Sequence, residues 1–469
     1  MYKVKKHLDI DDNNYKSLST LLSFMSEKGK SVYLVGGCVR DLLLGKTPKD
    51  IDLCTDAKPE EIINIFSDIE RYHLIATGLK HGTVTIHDTA CNTFYEITTY
   101  RVDGEYTDGR HPDAVTFVPS LEEDLKRRDF TINSFAYDLS TEEILMLDES
   151  FLKDLNYGII RTVGKATDRF SEDALRMLRA IRFSAQLNFS ISEEAYNGIK
   201  ELADSIKKVS KERIRDELTK ILLSDHPEML ELIALSGLEV GMFDGLIPLE
   251  NMLKCPHDNP WHYTDVFHHT VDVIKKVPAT FTLRWAALFH DIGKPTVKKL
   301  KEGTENHYVF YGHPDISADI AKQIMGILKF SNNDADLIYK FVKYHDYPAA
   351  ECSTRKFKEL LVIIGIDNFP DFIKLRYADT YSHALIMGTK FAITYIDELI
   401  KRFDRIAMVE KQPLTLKDLK VNGNDVKNVT GKEGPEVGKT LNWLLEVVLD
   451  NPKENTRERL LQLLRDGGK

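Results

Sequence analysis

The sequence predicts an α+β protein: a small N-terminal α/β head followed by all-helical segments. Three observations carry this. Short runs rich in β-branched and aromatic residues stand at 31–36 (SVYLVG), 82–87 (GTVTIH) and 94–100 (FYEITTY), among helical patterns at 15–28, 59–69 and 124–136. From about 166 to 235 the periodicity is helical almost throughout, and it is helical again over 263–385, with many histidines. The chain has 469 residues, too many for one ordinary core. The expected units are 1–145 (head), 146–245 (helical neck), 255–385 (histidine-rich) and 386–469 (helical tail). The break at 242–262 gathers Pro248, Pro256 and Pro260 among Gly, Asn and Asp.

With 42% hydrophobic and 29% charged residues the chain reads as globular, not disordered. No apolar run approaches the roughly 20 residues that span a bilayer, so no membrane partner is expected. The start, MYKVKKHLDIDDNNY, lacks the apolar stretch of a secretory signal. The five cysteines (Cys38, Cys54, Cys91, Cys255, Cys352) are dispersed, with no CxxC pair, which points to reduced thiols and a cytoplasmic location. The net charge of -10 argues against nonspecific nucleic-acid binding but permits a local basic surface.

The stretch 34–55, LVGGCVRDLLLGKTPKDIDLCT, carries the first chemistry. Placed in a strand, Asp50 and Asp52 share a face, because side chains alternate with period two. Two carboxylates on one face repel unless a cation lies between them, and oxygen ligands suit Mg²⁺. A solvated turn could also hold two aspartates. Gly36-Gly37 ahead of a helix-like segment adds backbone N–H groups suited to a triphosphate, and Arg40 can pair with phosphate oxygens. These parts suit phosphoryl or nucleotidyl transfer.

This stretch resembles the opening motif of the class II tRNA nucleotidyltransferase and bacterial poly(A) polymerase family. LKRRDFTINSFAYD (125–138), SEDALRMLRAIRF (171–183) and ERIRDELTKIL (212–222) resemble its later motifs in order. The resemblance covers about 34–222. It implies that Asp50 and Asp52 are catalytic and hold Mg²⁺, and that Gly37, Arg40 and Arg128 orient the nucleotide. It further implies that Asp129 meets the ribose and that Asp173 and Arg176 select the base. Read as helical neighbours three apart, Asp173 and Arg176 form a salt bridge or, held rigidly, a donor–acceptor plane like a base edge. Such a plane can choose C and A over U and G, and the resemblance implies this use, with CTP and ATP as substrates and tRNA as partner. Arg179 and Arg182 continue the row, toward the triphosphate or neighbouring helices. Leu175, Leu178, Ile181 and Phe183 are assigned to the core.

Within the family, ATGLKHGTVTI (76–86) looks more like the CCA-adding branch than the poly(A) polymerase branch. The polar loop in 96–118, with Arg101, Asp103, Asp108 and Arg110, is present, so terminal A addition is expected to be possible. The alternatives are a poly(A) polymerase or A-only enzyme, a hydrolase with an inactive head, and a noncatalytic RNA-binding module.

VFHHTVDVI, LRWAALFHDIGKP, YGHPDISADIA, FVKYHD and LRYADTYSH resemble the HD phosphohydrolase domain. The resemblance implies one metal on His269, His290, Asp291 and Asp379, and a second completed by His313 and His345. A divalent transition metal suits imidazole ligands. The implied chemistry is hydrolysis of a phosphomonoester or 2′,3′-cyclic phosphate. The tail, with Lys427, Lys432 and Lys439, resembles the region that helps hold the tRNA elbow in bacterial CCA-adding enzymes.

Overall fold

The computed structural model describes all residues except 76–77, 80–81, 104–114, 260–263, 306, 383–388, 410–411 and 468–469. Asp108 and Arg110 of the polar loop, His262, and part of the segment 76–86 therefore lie outside the described residues. The chain divides into two compact units, Met1–Ile247 and Pro248–Lys469.

Up to Met146 the described residues of the first unit form the strands β1 (Tyr2–Lys5), β2 (Val32–Val35), β3 (Ile51–Thr55), β4 (Tyr72–Ile75), β5 (Thr83–Asp88), β6 (Thr93–Thr99), β7 (Arg101–Asp103), β8 (Val115–Phe117), β9 (Phe135–Asp138) and β10 (Glu143–Met146). Eight of them form one sheet in the order β1-β10-β9-β2-β3-β6-β5-β4, and β7 pairs with β8. All neighbours in the large sheet are antiparallel except β3 and β6. Tyr95, Ile97 and Thr99 of β6 are buried, while Phe94 and Glu96 face outward, the alternation of a half-buried strand.

Asp11 caps the helix Asp12–Glu27 by accepting from the Asn14 N–H. Asp88, fully buried, accepts a forked pair from Arg71 at 2.6 and 2.8 Å and a hydroxyl bond from Ser17, which pins that helix to the sheet. The sequence pattern at 124–136 suggests one helix, and the structure corrects this. A helix runs Leu121–Lys126, a 3₁₀ turn spans Thr131–Asn133, and the chain then enters β9. Phe135, Ala136 and Tyr137 are strand residues that fill the gap between β10 and β2, and sheet pairing overrides their helical spacing.

The neck of this unit packs the helix Leu175–Leu187 on the helix Lys211–Leu222. Between them Arg182 Nε donates to Glu217 Oε2 at 2.5 Å, both side chains buried.

The second unit is helical. Val266–Lys276, Phe281–Phe289, His313–Ile327, Asn332–Tyr344 and Phe369–Ser382 surround a core that includes Trp285, Phe289, Phe341 and Phe372. A small antiparallel pair, Lys299–Leu300 with Tyr308–Val309, stands beside them. Lys358 is buried and donates to the Leu449 carbonyl at 2.8 Å, which docks Pro435–Asp450 of the tail on Thr354–Ile364. No described helix is long and apolar enough to cross a membrane.

Removing one partner of a buried ion pair leaves the other charged and unpaired, at a cost of about 3–5 kcal/mol. Glu217→Ala is therefore expected to lower the unfolding free energy of the first unit by that amount in denaturant titration. Glu217→Gln, which keeps a hydrogen-bond acceptor, should lose less.

Candidate functional site

The head carries a cleft of about 550 Å³. β2 ends at Val35, and Gly36 turns the chain at φ 77°, where a side chain would be strained. A Cβ there would also lie 3.0 Å from Arg128 Nη1 and 3.9 Å from Asp52 Oδ2, so the turn brings backbone close to both. The helix Gly37–Leu43 follows, with Arg40 buried. Arg40 donates to Asn133 Oδ1 at 2.7 Å and to Asp41 Oδ1 at 2.7 and 2.9 Å.

Asp52 lies in β3 and lines the cleft; Asp50 does not share its strand. Asp50 is exposed in the bend one residue before β3, because the Lys46–Asp50 connection ends only at Ile51. The carboxylate opposite Asp52 is Glu96: parallel pairing of β3 with β6 sets the two side by side in register. Burial first, then the Glu96 charge, push the Asp52 carboxyl up to about 6, with Asp50 adding to the rise and Arg128 opposing it. A cluster that resists ionising until a positive charge arrives is suited to a divalent cation. Sequence reading missed Glu96. Its only local signal is a lone charge in FYEITTY, and its partner is fixed by strand register.

Among the described residues, seven arginines line the cleft (40, 101, 127, 128, 176, 179, 213), against the carboxylates Asp52, Glu96, Asp129 and Asp173. An acidic chain thus carries a basic pocket. Asp129 accepts from Arg179 at 2.6 and 2.9 Å and from the Phe130 N–H. Burial works against its charge, but Arg179 outweighs this and holds the carboxyl down at about 2.

Asp173 and Arg176 do not form the expected helical pair. The helix Ala166–Glu172 ends at Asp173, which has extended backbone, and a new helix begins at Leu175. Asp173 Oδ1 accepts from the Leu175 N–H at 3.0 Å, and its carboxylate is gripped by Arg213 at 2.8 and 3.4 Å. Arg176 instead pairs with Glu172 and donates to the carbonyls of Arg169 and Arg127. Both still line the cleft, each held by a different partner. Arg213 is the second residue missed. It sits in ERIRDELTKIL, but its reach to Asp173 depends on helix packing.

Arg182 is not among the lining residues; its bond to Glu217 turns it toward the neighbouring helix. Phe183, assigned to the core, is buried but also lines the cleft, with the guanidinium of Arg40 5.3 Å from its ring centre and that of Arg182 at 3.9 Å.

In the second unit all six expected ligands converge, and Asp291 is at their centre. Its Oδ2 is 3.4 Å from His269 Nε2 and 3.2 Å from His290 Nε2. Asp379 Oδ1 lies 3.2 Å from His269 Nε2 and 3.8 Å from His290 Nε2. Asp291 Oδ1 lies 3.2 Å from His313 Nε2 and 3.7 Å from His345 Nε2. Two ligand groups thus share one carboxylate.

The ring orientations follow from helix ends, whose last carbonyls lack intrahelical partners. His290 Nδ1 donates to the Ala287 carbonyl at 2.7 Å and His345 Nδ1 to the Val342 carbonyl at 2.7 Å, each at a helix C-terminus. His313 Nδ1 donates to the Phe310 carbonyl at 2.9 Å. With Nδ1 protonated, Nε2 presents a lone pair to the cluster. Burial, then His313 and His290, depress the His345 pKa well below its ordinary value, which keeps it a neutral ligand. Both Asp291 oxygens are buried and face the histidines of the two groups. Lys294 Nζ is 2.6 Å from Asp291 Oδ2. It also lies 3.2 Å from His257 Nε2, whose Nδ1 donates to the Thr264 carbonyl. The sequence reading did not single out His257 or Lys294.

Three family models match: the poly A polymerase head domain over 32–161, the probable RNA and SrmB-binding site of polymerase A over 188–248, and the HD domain over 267–364. A CCA-adding enzyme of Leuconostoc mesenteroides subsp. mesenteroides is 43% identical over 267 residues, 57% of this chain and 60% of that protein. The match to the Ligilactobacillus salivarius CCA-adding enzyme, 46% identical, spans 46% of this chain and 51% of that protein. The CCA-adding enzyme of Lactobacillus helveticus is 30% identical over 99% of this chain and 100% of its own length. The chain belongs to the CCA-adding enzyme family. The fold agrees: the crystal structure of the Bacillus stearothermophilus CCA-adding enzyme in complex with CTP has a TM-score of 0.70 and 28% identity, covering 97% of this chain and 98% of that one. The Thermotoga maritima CCA-adding enzyme complexed with tRNA shares the fold at a TM-score of 0.56, with 19% identity over 98% of this chain and 97% of that one.

The shared role of Asp291 makes a stoichiometric prediction. Calorimetric titration of metal-stripped protein with Mn²⁺ should show two ions at this centre. His313→Ala should remove one of them, and Asp291→Ala both.

Proposed function

We propose that this protein is a tRNA nucleotidyltransferase that adds C, C and A to the tRNA 3′ end from CTP and ATP without a nucleic-acid template. The observation that carries the reading is the Asp52–Glu96 carboxylate pair at the mouth of an arginine-lined cleft, beside the Gly36 turn. Asp50 and Asp52, with Glu96, are the residues to hold Mg²⁺. Bound there, the metal would lower the pKa of the attacking 3′-hydroxyl and carry charge on the departing pyrophosphate.

The other residues bind and orient. Gly37, Arg40 and Arg128 take the triphosphate, and Asp129, fixed by Arg179, takes the ribose. Asp173 accepts from the exocyclic amine of C or A, and Arg176 donates to the ring edge. Arg213 and Glu172 hold these two side chains still, so selectivity comes from a rigid edge and not from an RNA template. Arg182, turned to Glu217, positions the helix that carries Arg176 and Arg179. The four-part division 1–145, 146–245, 255–385 and 386–469 assigns transfer to the head and neck and tRNA holding to the tail. Five free cysteines fit a reducing cytoplasm.

A second activity is favoured by the Asp291-bridged ligand group: hydrolysis of a phosphomonoester or 2′,3′-cyclic phosphate. His269, His290, Asp291, Asp379, His313 and His345 would hold a metal pair, which would supply the Lewis-acid chemistry such a hydrolysis needs at neutral pH. Lys294, in the adjoining cavity, is placed to meet a phosphate oxygen.

The test uses purified protein, Mg²⁺ and tRNAs lacking CCA, CA or A, with each nucleotide offered singly. The expected outcome is two CTP additions, then one ATP, then arrest. No incorporation from any nucleotide would overturn the reading, and runs of A on arbitrary RNA would replace it with a poly(A) polymerase. Asp52→Asn should abolish transfer and leave any phosphatase activity intact.

A further inference from the structure

The sheet face that carries Asp52 and Glu96 is aromatic in its next row. Phe94 precedes Glu96 by two residues on the same face of β6. Across the sheet, Phe94 is in register with His87 of β5, and His87 with His73 of β4. On the β3 side of this row the strand begins only at Ile51, which is in register with Tyr95. The Phe94 and His87 rings stack at 4.3 Å between centres and 13° between planes; His87 and His73 stand at 6.2 Å and 30°. Asn92 Oδ1, 2.9 Å from His87 Nε2, fixes the middle ring. Phe94 is 51% exposed and His73 is exposed.

An aromatic cross-strand pair stabilises a hairpin modestly. That does not explain a large ring left open to solvent beside a catalytic centre. Flat aromatic rings on an open sheet face are, however, a common way for proteins to bind unpaired RNA bases. The place is also right. Thr98 and Arg101, on the far side of Glu96, line the nucleotide cleft, whereas Phe94 and His87 do not. The row and the cleft thus flank the carboxylates from opposite sides, about 7 Å from Glu96 to Phe94 along the strand. In-line displacement needs the attacking hydroxyl and the leaving pyrophosphate on opposite sides of the phosphorus.

We propose that Phe94, His87 and His73 form a stacking platform for the unpaired 3′-terminal bases of the acceptor RNA, holding the strand whose hydroxyl attacks. The proposal rests on the transferase reading above. Stacking suits this task because it accepts every base. The terminal base of the acceptor changes at each addition, so contacts that read base edges would fail at the next step.

The experiment measures KM for tRNA and for CTP separately, and the quenching of 2-aminopurine placed at the RNA 3′ end. Phe94→Ala and His87→Ala should raise the tRNA KM about tenfold and abolish quenching, with the CTP KM unchanged. Phe94→Trp should stay within about twofold of wild type. Phe94→Leu, apolar but unable to stack, should behave like Phe94→Ala. An unchanged tRNA KM and unchanged quenching in Phe94→Ala would overturn the platform, as would wild-type behaviour of Phe94→Leu. Wild-type protein that adds nothing to any tRNA would sink the transferase reading instead, and the quenching would still decide the platform.

Discussion

The parallel register of β3 and β6 is the constraint on which the head depends. It puts a half-buried Asp52 beside the outward-facing Glu96 at the lining of the cleft. Two unit charges at the spacing of adjacent strands repel by about 3 kcal/mol at an effective dielectric of 20. A fold built for stability alone would avoid this. Here the Gly36 turn and the Arg128 guanidinium come close to Asp52 in an open cleft, a setting suited to a cation.

The rest of the cleft resolves its charges internally. Arg179 neutralises Asp129, Arg213 grips Asp173, and Glu172 holds Arg176. Each pair fixes the orientation of a side chain that lines the cleft. The second unit solves the same problem with helix ends. Helix-end carbonyls at Ala287 and Val342 orient His290 and His345, so a backbone leftover sets the tautomer of each imidazole.

What could be read from the sequence was whatever is local. Gly36-Gly37, Asp52, the EDALR stretch and the His290-Asp291 dipeptide are short and carry their chemistry in adjacent residues. FYEITTY read as a strand, and the structure shows one, with Tyr95 and Ile97 inside and Glu96 outside. Contacts set by register and packing were not legible. Nothing in FYEITTY says that Glu96 faces Asp52, and nothing in ERIRDEL says that Arg213 reaches Asp173. Spacing alone also misled. Asp50 and Asp52 suggested a shared strand that begins only at Ile51, and Asp173 and Arg176 suggested one helix where the chain breaks into two. Period arguments assume that an element continues, and at both sites it stops.

The central claim is that Asp52 and Glu96 are forced together for a metal. Thermal unfolding of Glu96→Gln, in EDTA and in Mg²⁺, tests it most directly. Removing one of two repelling charges should raise the first unit's midpoint above wild type in EDTA, by a few degrees at about 2–4 °C per kcal/mol. The same change should erase the Mg²⁺-dependent stabilisation of that unit and the transfer of CTP. A midpoint no higher than wild type in EDTA, with Mg²⁺ response and CTP transfer intact, would contradict the account.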